Sequence, residues 1–138
     1  MIDELAERIL QLRGDSGMIL KRNYDLKGVK PLKNGFALYE FNSAKRFGLD
    51  KSFYVLSLPC KKMKDINYRI FYVPSSISGY FTKSIEYDKK LDSLIISTEN
   101  YRRRRKYEWD YKNVKTVFMH EFLKCVEEEE KEEYDDYR

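Results

Sequence analysis

The apolar positions begin at helical spacing and then shift to short runs of period two. Ile2, Leu5, Ile9 and Leu12 recur as one helix face, so residues 2–13 are expected to be an amphipathic helix. Asp3, Glu4 and Glu7 lie near its positive end, and Gly14 and Gly17 stop it. Met18 to Arg22 read as a short strand, and Tyr24 to Lys33 as an edge or irregular strand because of Gly28 and Pro31. Asn34-Gly35 is the strongest hairpin signal and leads into a strand over Phe36–Phe41. Ser43 is placed to cap a short helix over Ala44 to Phe47, ended by Gly48. Phe53–Leu58 and Tyr68–Val73 read as strands, separated by a lysine-rich loop from Cys60 to Asp65. Residues 74–79 form a turn region, and Ser84–Tyr87 and Leu94–Thr98 form a strand pair turned at Asp88 to Leu91. Residues 99–112 show no clear period and read as a loop. Val114, Val117, Phe118, Phe122 and Cys125 make one stripe of a C-terminal helix.

This order predicts an α+β fold, a mixed and largely antiparallel sheet flanked by an N-terminal and a C-terminal helix. One domain is expected over 1–126, followed by an acidic tail over 127–138. An apolar content of 42 % supports such a core without disulfides or structural metal. No run approaches the roughly 20 apolar residues of a membrane span. An acidic helix stands where a signal peptide would, and Cys60 and Cys125 have no paired spacing. The chain is therefore expected to be cytoplasmic with reduced core thiols, in a host cytoplasm if it is viral. His120, the sole histidine, falls within the helical apolar pattern and reads as structural. Charged residues at 36 % and a single glutamine, Gln11, fit a hyperthermophile composition.

The net charge of +4 conceals an asymmetry. Residues 127–138 hold eight acidic groups against Lys131 and Arg138, which leaves 25 basic and 15 acidic residues over 1–126. A body that basic attracts polyanions. The densest segment, Arg102, Arg103, Arg104, Arg105 and Lys106, is flanked by Tyr101, Tyr107, Trp109 and Tyr111. Arginine forks match phosphates, and the rings of Tyr107 and Trp109 would stack on bases. Lys61, Lys62 and Lys64 would add a second phosphate contact. Nucleic acid is the expected partner, with DNA favoured over RNA. Other readings stand beside this one. The acidic tail folds back on the basic strip as a clamp or competitor, it reaches a second copy to form a homodimer, or both segments are simply solvated and the aromatics are core residues.

Asp25 and the triplet Glu40-Phe41-Asn42 are the candidate chemistry. In a strand Leu38, Glu40 and Asn42 share one face, and Asp25 is placed to supply a second carboxylate for a divalent ion. Alternatively Asp25 caps a turn near Gly28, and Glu40 pairs with a lysine on a neighbouring strand. An opening helix, then a hairpin carrying Asp followed by Glu-x-(Lys), then a helix and a strand, resembles the PD-(D/E)XK nuclease superfamily over residues 2–58. The likeness is to compact Holliday-junction resolvases and small nucleases of viruses from hyperthermophilic archaea. The resemblance implies a restriction-endonuclease-like core and Mg²⁺ (or Mn²⁺) held by Asp25 and Glu40, with Glu7 assisting. It implies a metal-dependent hydrolysis of DNA phosphodiesters. Asn42 stands where the family has lysine, so Lys45 or Lys21 would substitute, and Tyr24 stands where proline precedes the Asp. The alternative is a non-enzymatic protein with a degenerate nuclease-like fold that binds nucleic acid or inhibits a host nucleic-acid enzyme.

Overall fold

The computed structural model describes residues 3–14, 17–43, 52–59, 70–73, 75–113 and 123–131. The chain divides into two compact units, Met1–Val73 and Pro74–Arg138. The single α-helix among the described residues is α1 (Glu4–Leu10), and every strand pairing is antiparallel. The fold is therefore α+β.

In the first unit, Asp3 caps α1 by accepting the Ala6 amide at 2.9 Å. Its carboxylate also accepts the Tyr39 hydroxyl at 3.1 Å, which ties the helix start to the sheet. The helix is shorter than expected. Leu20 sends its amide to the Leu12 carbonyl and Arg13 bridges Ile19, so Met18–Arg22 closes as a turn ending in one 3₁₀ turn rather than a strand. Four strands follow in the order β1 (Tyr24–Pro31), β2 (Ala37–Ser43), β3 (Ser52–Ser57) and β4 (Ile70–Tyr72). The Asn34-Gly35 turn forms as expected, with φ of 59° and 83°. Gly35 is doubly required there, because a Cβ would stand 2.9 Å from the Pro59 Cβ. Ala6, Ile9 and Leu10 of α1 pack on Tyr39, Phe41, Val55 and Ile70. The Phe41 ring stacks on Phe53 with centroids 4.7 Å apart.

The second unit is a five-stranded meander, β5 (Ser76–Ile77), β6 (Tyr80–Asp88), β7 (Ser93–Glu99), β8 (Arg103–Trp109) and β9 (Leu123–Glu130). Ser78 and Gly79 turn β5 into β6 with φ of 51° and 82°, the primed hairpin geometry. Register aligns Ile85, Ile96 and Tyr107 in one row, and Tyr87, Leu94 and Trp109 in the next. Their inner members are buried, Leu94 and Ile96 completely.

Four expectations are corrected by the second unit. Residues 103–109 are a strand, not a loop. Asn100 starts it by accepting the Arg102 and Arg103 amides at 2.8 and 2.7 Å. The stripe expected to form a C-terminal helix ends at Cys125, which lies in β9. That cysteine is exposed rather than in a core. Glu127–Glu130, expected in a tail, complete the same strand. Val114 to Phe122 with His120, the helix expected at 44–47, the 60–65 loop and Cys60 lie outside the described residues. No helix among the described residues is long and apolar enough to cross a membrane.

Candidate functional site

The β1–β2 ladder sets Asp25 opposite Asn42 and Gly28 opposite Glu40. Directly opposed residues share a face, so Asp25 and Glu40 are diagonal neighbours on the face turned away from α1. A one-residue bulge between Leu26 and Gly28 adds Lys27 beside them. The Lys27 ammonium meets a Glu40 oxygen at 3.1 Å, the neighbouring-strand ion pair. Asn42 accepts the Ser52 hydroxyl at 2.8 Å. Glu7 belongs to the helix on the opposite face, where it meets Lys21 at 3.5 Å. The sheet therefore separates Glu7 from Asp25 and Glu40. Lys45, Lys61, Lys62 and Lys64 lie outside the described residues.

Among the described residues no three His, Cys, Asp or Glu side chains gather in a group able to hold a metal ion. The pair that does share a face has one carboxylate already neutralised by Lys27 and a neighbouring amide engaged by Ser52. That donor set does not fit Mg²⁺, which demands an octahedral shell of oxygens, unless Lys27 withdraws.

The edge strand carries a different signal. β1 pairs only with β2 among the described residues, and Lys27, Lys30 and Lys33 are exposed along it, with Lys21 and Arg22 just before it. Lysine, Pro31 and the bulge also protect an open edge from pairing with another chain. Residues 1–73 hold 14 basic and 8 acidic side chains, and residues 74–138 hold 13 and 15. The basic surplus belongs to the first unit.

The arginine strip in the second unit is compensated. Arg103, Arg104, Arg105 and Lys106 stand opposite Glu130, Glu129, Glu128 and Glu127 in the β8–β9 ladder. Strand alternation splits them between the two faces. On the apolar-side face, Arg103 and Arg105 each donate to one oxygen of Glu128, at 2.7 and 2.6 Å. Arg103 and then Arg105 hold that carboxyl below the usual range. The Arg105 guanidinium also lies over the Tyr80 ring, 4.2 Å from its centroid. On the other face Arg104 reaches Glu99 at 3.6 Å and Glu129 at 3.8 Å, and Lys106 reaches Glu127 at 3.8 Å. Arg102 leans on the Tyr101 ring at 5.1 Å.

No protein-family model, no curated protein and no solved structure matches this chain.

Tyr107 and Trp109, expected to stack on bases, are 7 % and 2 % exposed and belong to the core. Phe81 and Tyr101 are instead the most exposed rings among the described residues, each 65 % exposed. Asp92 forms a cluster that residue spacing does not reveal. Tyr87 and Tyr111 donate to its Oδ1 at 2.7 and 2.6 Å, and Lys112 donates to its Oδ2 at 2.8 Å. Lys112, then Tyr111 and Tyr87, hold its carboxyl far below the ordinary aspartate value. This locks the β6–β7 turn to the 3₁₀ turn after β8 and engages both carboxylate oxygens within the protein, which is a structural role.

Proposed function

We propose that the protein is a non-enzymatic nucleic-acid-binding protein whose phosphate contact is the basic edge of the first unit. The observation that carries this reading is the exposed series Lys27, Lys30 and Lys33 on and beside β1, in a unit with 14 basic and 8 acidic residues. Such a surface binds by releasing counterions from phosphates, so affinity falls steeply with salt. Replacing Lys27, Lys30 and Lys33 with alanine is expected to weaken binding to a labelled DNA duplex across sequences. The slope of log affinity against log salt should flatten by about 2–3, near 0.9 for each phosphate no longer neutralised. Unchanged affinity and slope would overturn the reading.

The shared face of Asp25 and Glu40 favours a second reading, a metal-dependent nuclease-like domain acting on DNA with Mg²⁺ or Mn²⁺. Its requirement is that Lys27 give up Glu40. DNA cleavage by wild type that disappears in Glu40→Ala would support it, and absence of cleavage with either ion would remove it.

A further inference from the structure

The β8–β9 ladder joins an arginine-rich strand to an acidic strand that buries almost nothing. Leu123 is half-buried, and Lys124 to Glu130 are all exposed. Among the described residues β9 pairs only with β8, so there it is held by one backbone ladder and by ion pairs, not by a core. Elements held that way open at the low end of a protein's range of local stabilities. What β9 covers is organised without it. The guanidinium of Arg105 rests on Tyr80, a β6 residue that is 7 % exposed, so its fork keeps its position when Glu128 leaves. Thr98 of β7 donates to the Arg105 carbonyl at 3.2 Å, which fixes the backbone at the same point.

The open aromatics lie at the same end of this sheet. Phe81 stands opposite Glu99 in the β6–β7 ladder, and Glu99 stands opposite Arg104. Tyr101 occupies the turn that joins β7 to β8. Phe81 thus shares the face of Arg104 and Lys106, and two rings, each 65 % exposed, at the end of that strand form a stacking platform beside a phosphate track. Stacking requires unpaired bases, so the chemistry selects a single strand over a duplex.

We propose that Glu127–Glu130 mimic a phosphate backbone, and that a single-stranded nucleic acid displaces β9 to occupy Arg103–Lys106 with its bases on Phe81 and Tyr101. The inference rests on the nucleic-acid reading above, but at a different surface. Each displaced carboxylate is exchanged for a phosphate, so the charge on β8 stays compensated throughout. The free energy of binding is then set by stacking on the two rings against loss of the β9 ladder.

The test uses the full chain and a labelled oligo-dT strand in a salt titration followed by anisotropy. Converting Glu127, Glu128, Glu129 and Glu130 to glutamine is expected to tighten binding about tenfold or more. It should also steepen the salt slope by up to about 3, at roughly 0.7 per single-strand phosphate. Adding Arg103→Gln, Arg104→Gln, Arg105→Gln and Lys106→Gln to that variant should abolish the gain, and Phe81→Ala with Tyr101→Ala should cost roughly 30-fold or more, at about 1–3 kcal/mol for each stacked base. In wild type, oligo-dT should strip hydrogen-exchange protection from β9 amides while β6 and β7 keep theirs. The inference is overturned if the glutamine variant binds no tighter, or if its gain survives removal of Arg103, Arg104, Arg105 and Lys106. If only the Lys27, Lys30 and Lys33 variant loses binding, the first-unit site stands and this one falls. If only the β8–β9 variants respond, the reverse holds.

Discussion

Phe41→Ala is the perturbation with the clearest expected size. Phe41 is fully buried at the centre of β2, packed beneath Ala6 and Ile9 and stacked on Phe53 at 4.7 Å and on Tyr39 at 6.3 Å. A phenylalanine buries on the order of 150 Å² or more, so truncation forfeits about 3 kcal/mol of transfer free energy at about 25 cal/mol per Å². A cavity that rigid neighbours cannot fill, and the absence of both ring stackings, raise the cost to about 4–5 kcal/mol. That is a large part of a stability on the order of 5–15 kcal/mol. Phe41 also fixes the register, because a one-residue slip of β2 would turn Glu40 into the core. The sole tryptophan, Trp109, sits in the second unit, so intrinsic tryptophan fluorescence does not report on this change. Native-state hydrogen exchange of the β2 and β3 amides does. Phe81→Ala, at a ring 65 % exposed, is the control and should cost less than about 0.5 kcal/mol. A destabilisation under about 1.5 kcal/mol in the Phe41 variant would refute the packing described here.

Two further outcomes concern ionisation. Asp92 has a lowered folded pKa, so its contribution is complete above its ordinary value of 3.8 and is lost as pH falls below it. Exchange protection of the β6–β7 turn should therefore drop below about pH 4 in wild type. It should stay flat in Asp92→Asn, which keeps the left-handed backbone (φ 48°) but not the charge; equal acid profiles for the two would discard the assignment. Glu128 follows the same sign from its ordinary 4.5, and its arginine partners are screened by salt. β9 amides should lose exchange protection in acid and in about 1 M salt, while β6 and β7 amides keep theirs in the salt. Identical β9 protection in low and high salt would show that the strand is not held by charge.

The hairpin at Asn34-Gly35 and the acidic start of α1 were legible, since each follows from local backbone chemistry, whereas the shared face of Asp25 and Glu40 was not, because counting by two from that turn sets Asp25 opposite Ser43 and only the bulge at Lys27 brings it opposite Asn42. β8 was hidden because its apolar-face positions include Arg103 and Arg105, which read as polar although Arg105 lies over Tyr80. The alternation of Tyr107 and Trp109 about Glu108 was the available signal. β9 was hidden because four consecutive glutamates have poor strand propensity, and only the opposed arginines make them one. The position of Lys27 was hidden because a bulge shifts parity by one residue, and no count along the sequence shows where a bulge falls.

Charge counted along a sequence and charge met by a ligand are different quantities. The +10 of residues 1–126 treats the acidic run as separate, yet β9 returns four of its carboxylates to the most basic strand. The charge pairing alone does not select a register, because shifting β9 by one residue would carry Glu128 to the opposite face and bring Glu127 and Glu129 to Arg103 and Arg105 in its place. A homogeneous strip of positive charge cannot specify its own register, and neither can a run of glutamates. What breaks the degeneracy is the bulge between Lys106 and Tyr107, which lets the aromatic end pair Trp109 with Leu123 while the charged end pairs Arg105 with Glu128. The apolar rungs set the alignment and the charged rungs close it, so removing the glutamate charges should loosen β9 from its acidic end without shifting its register.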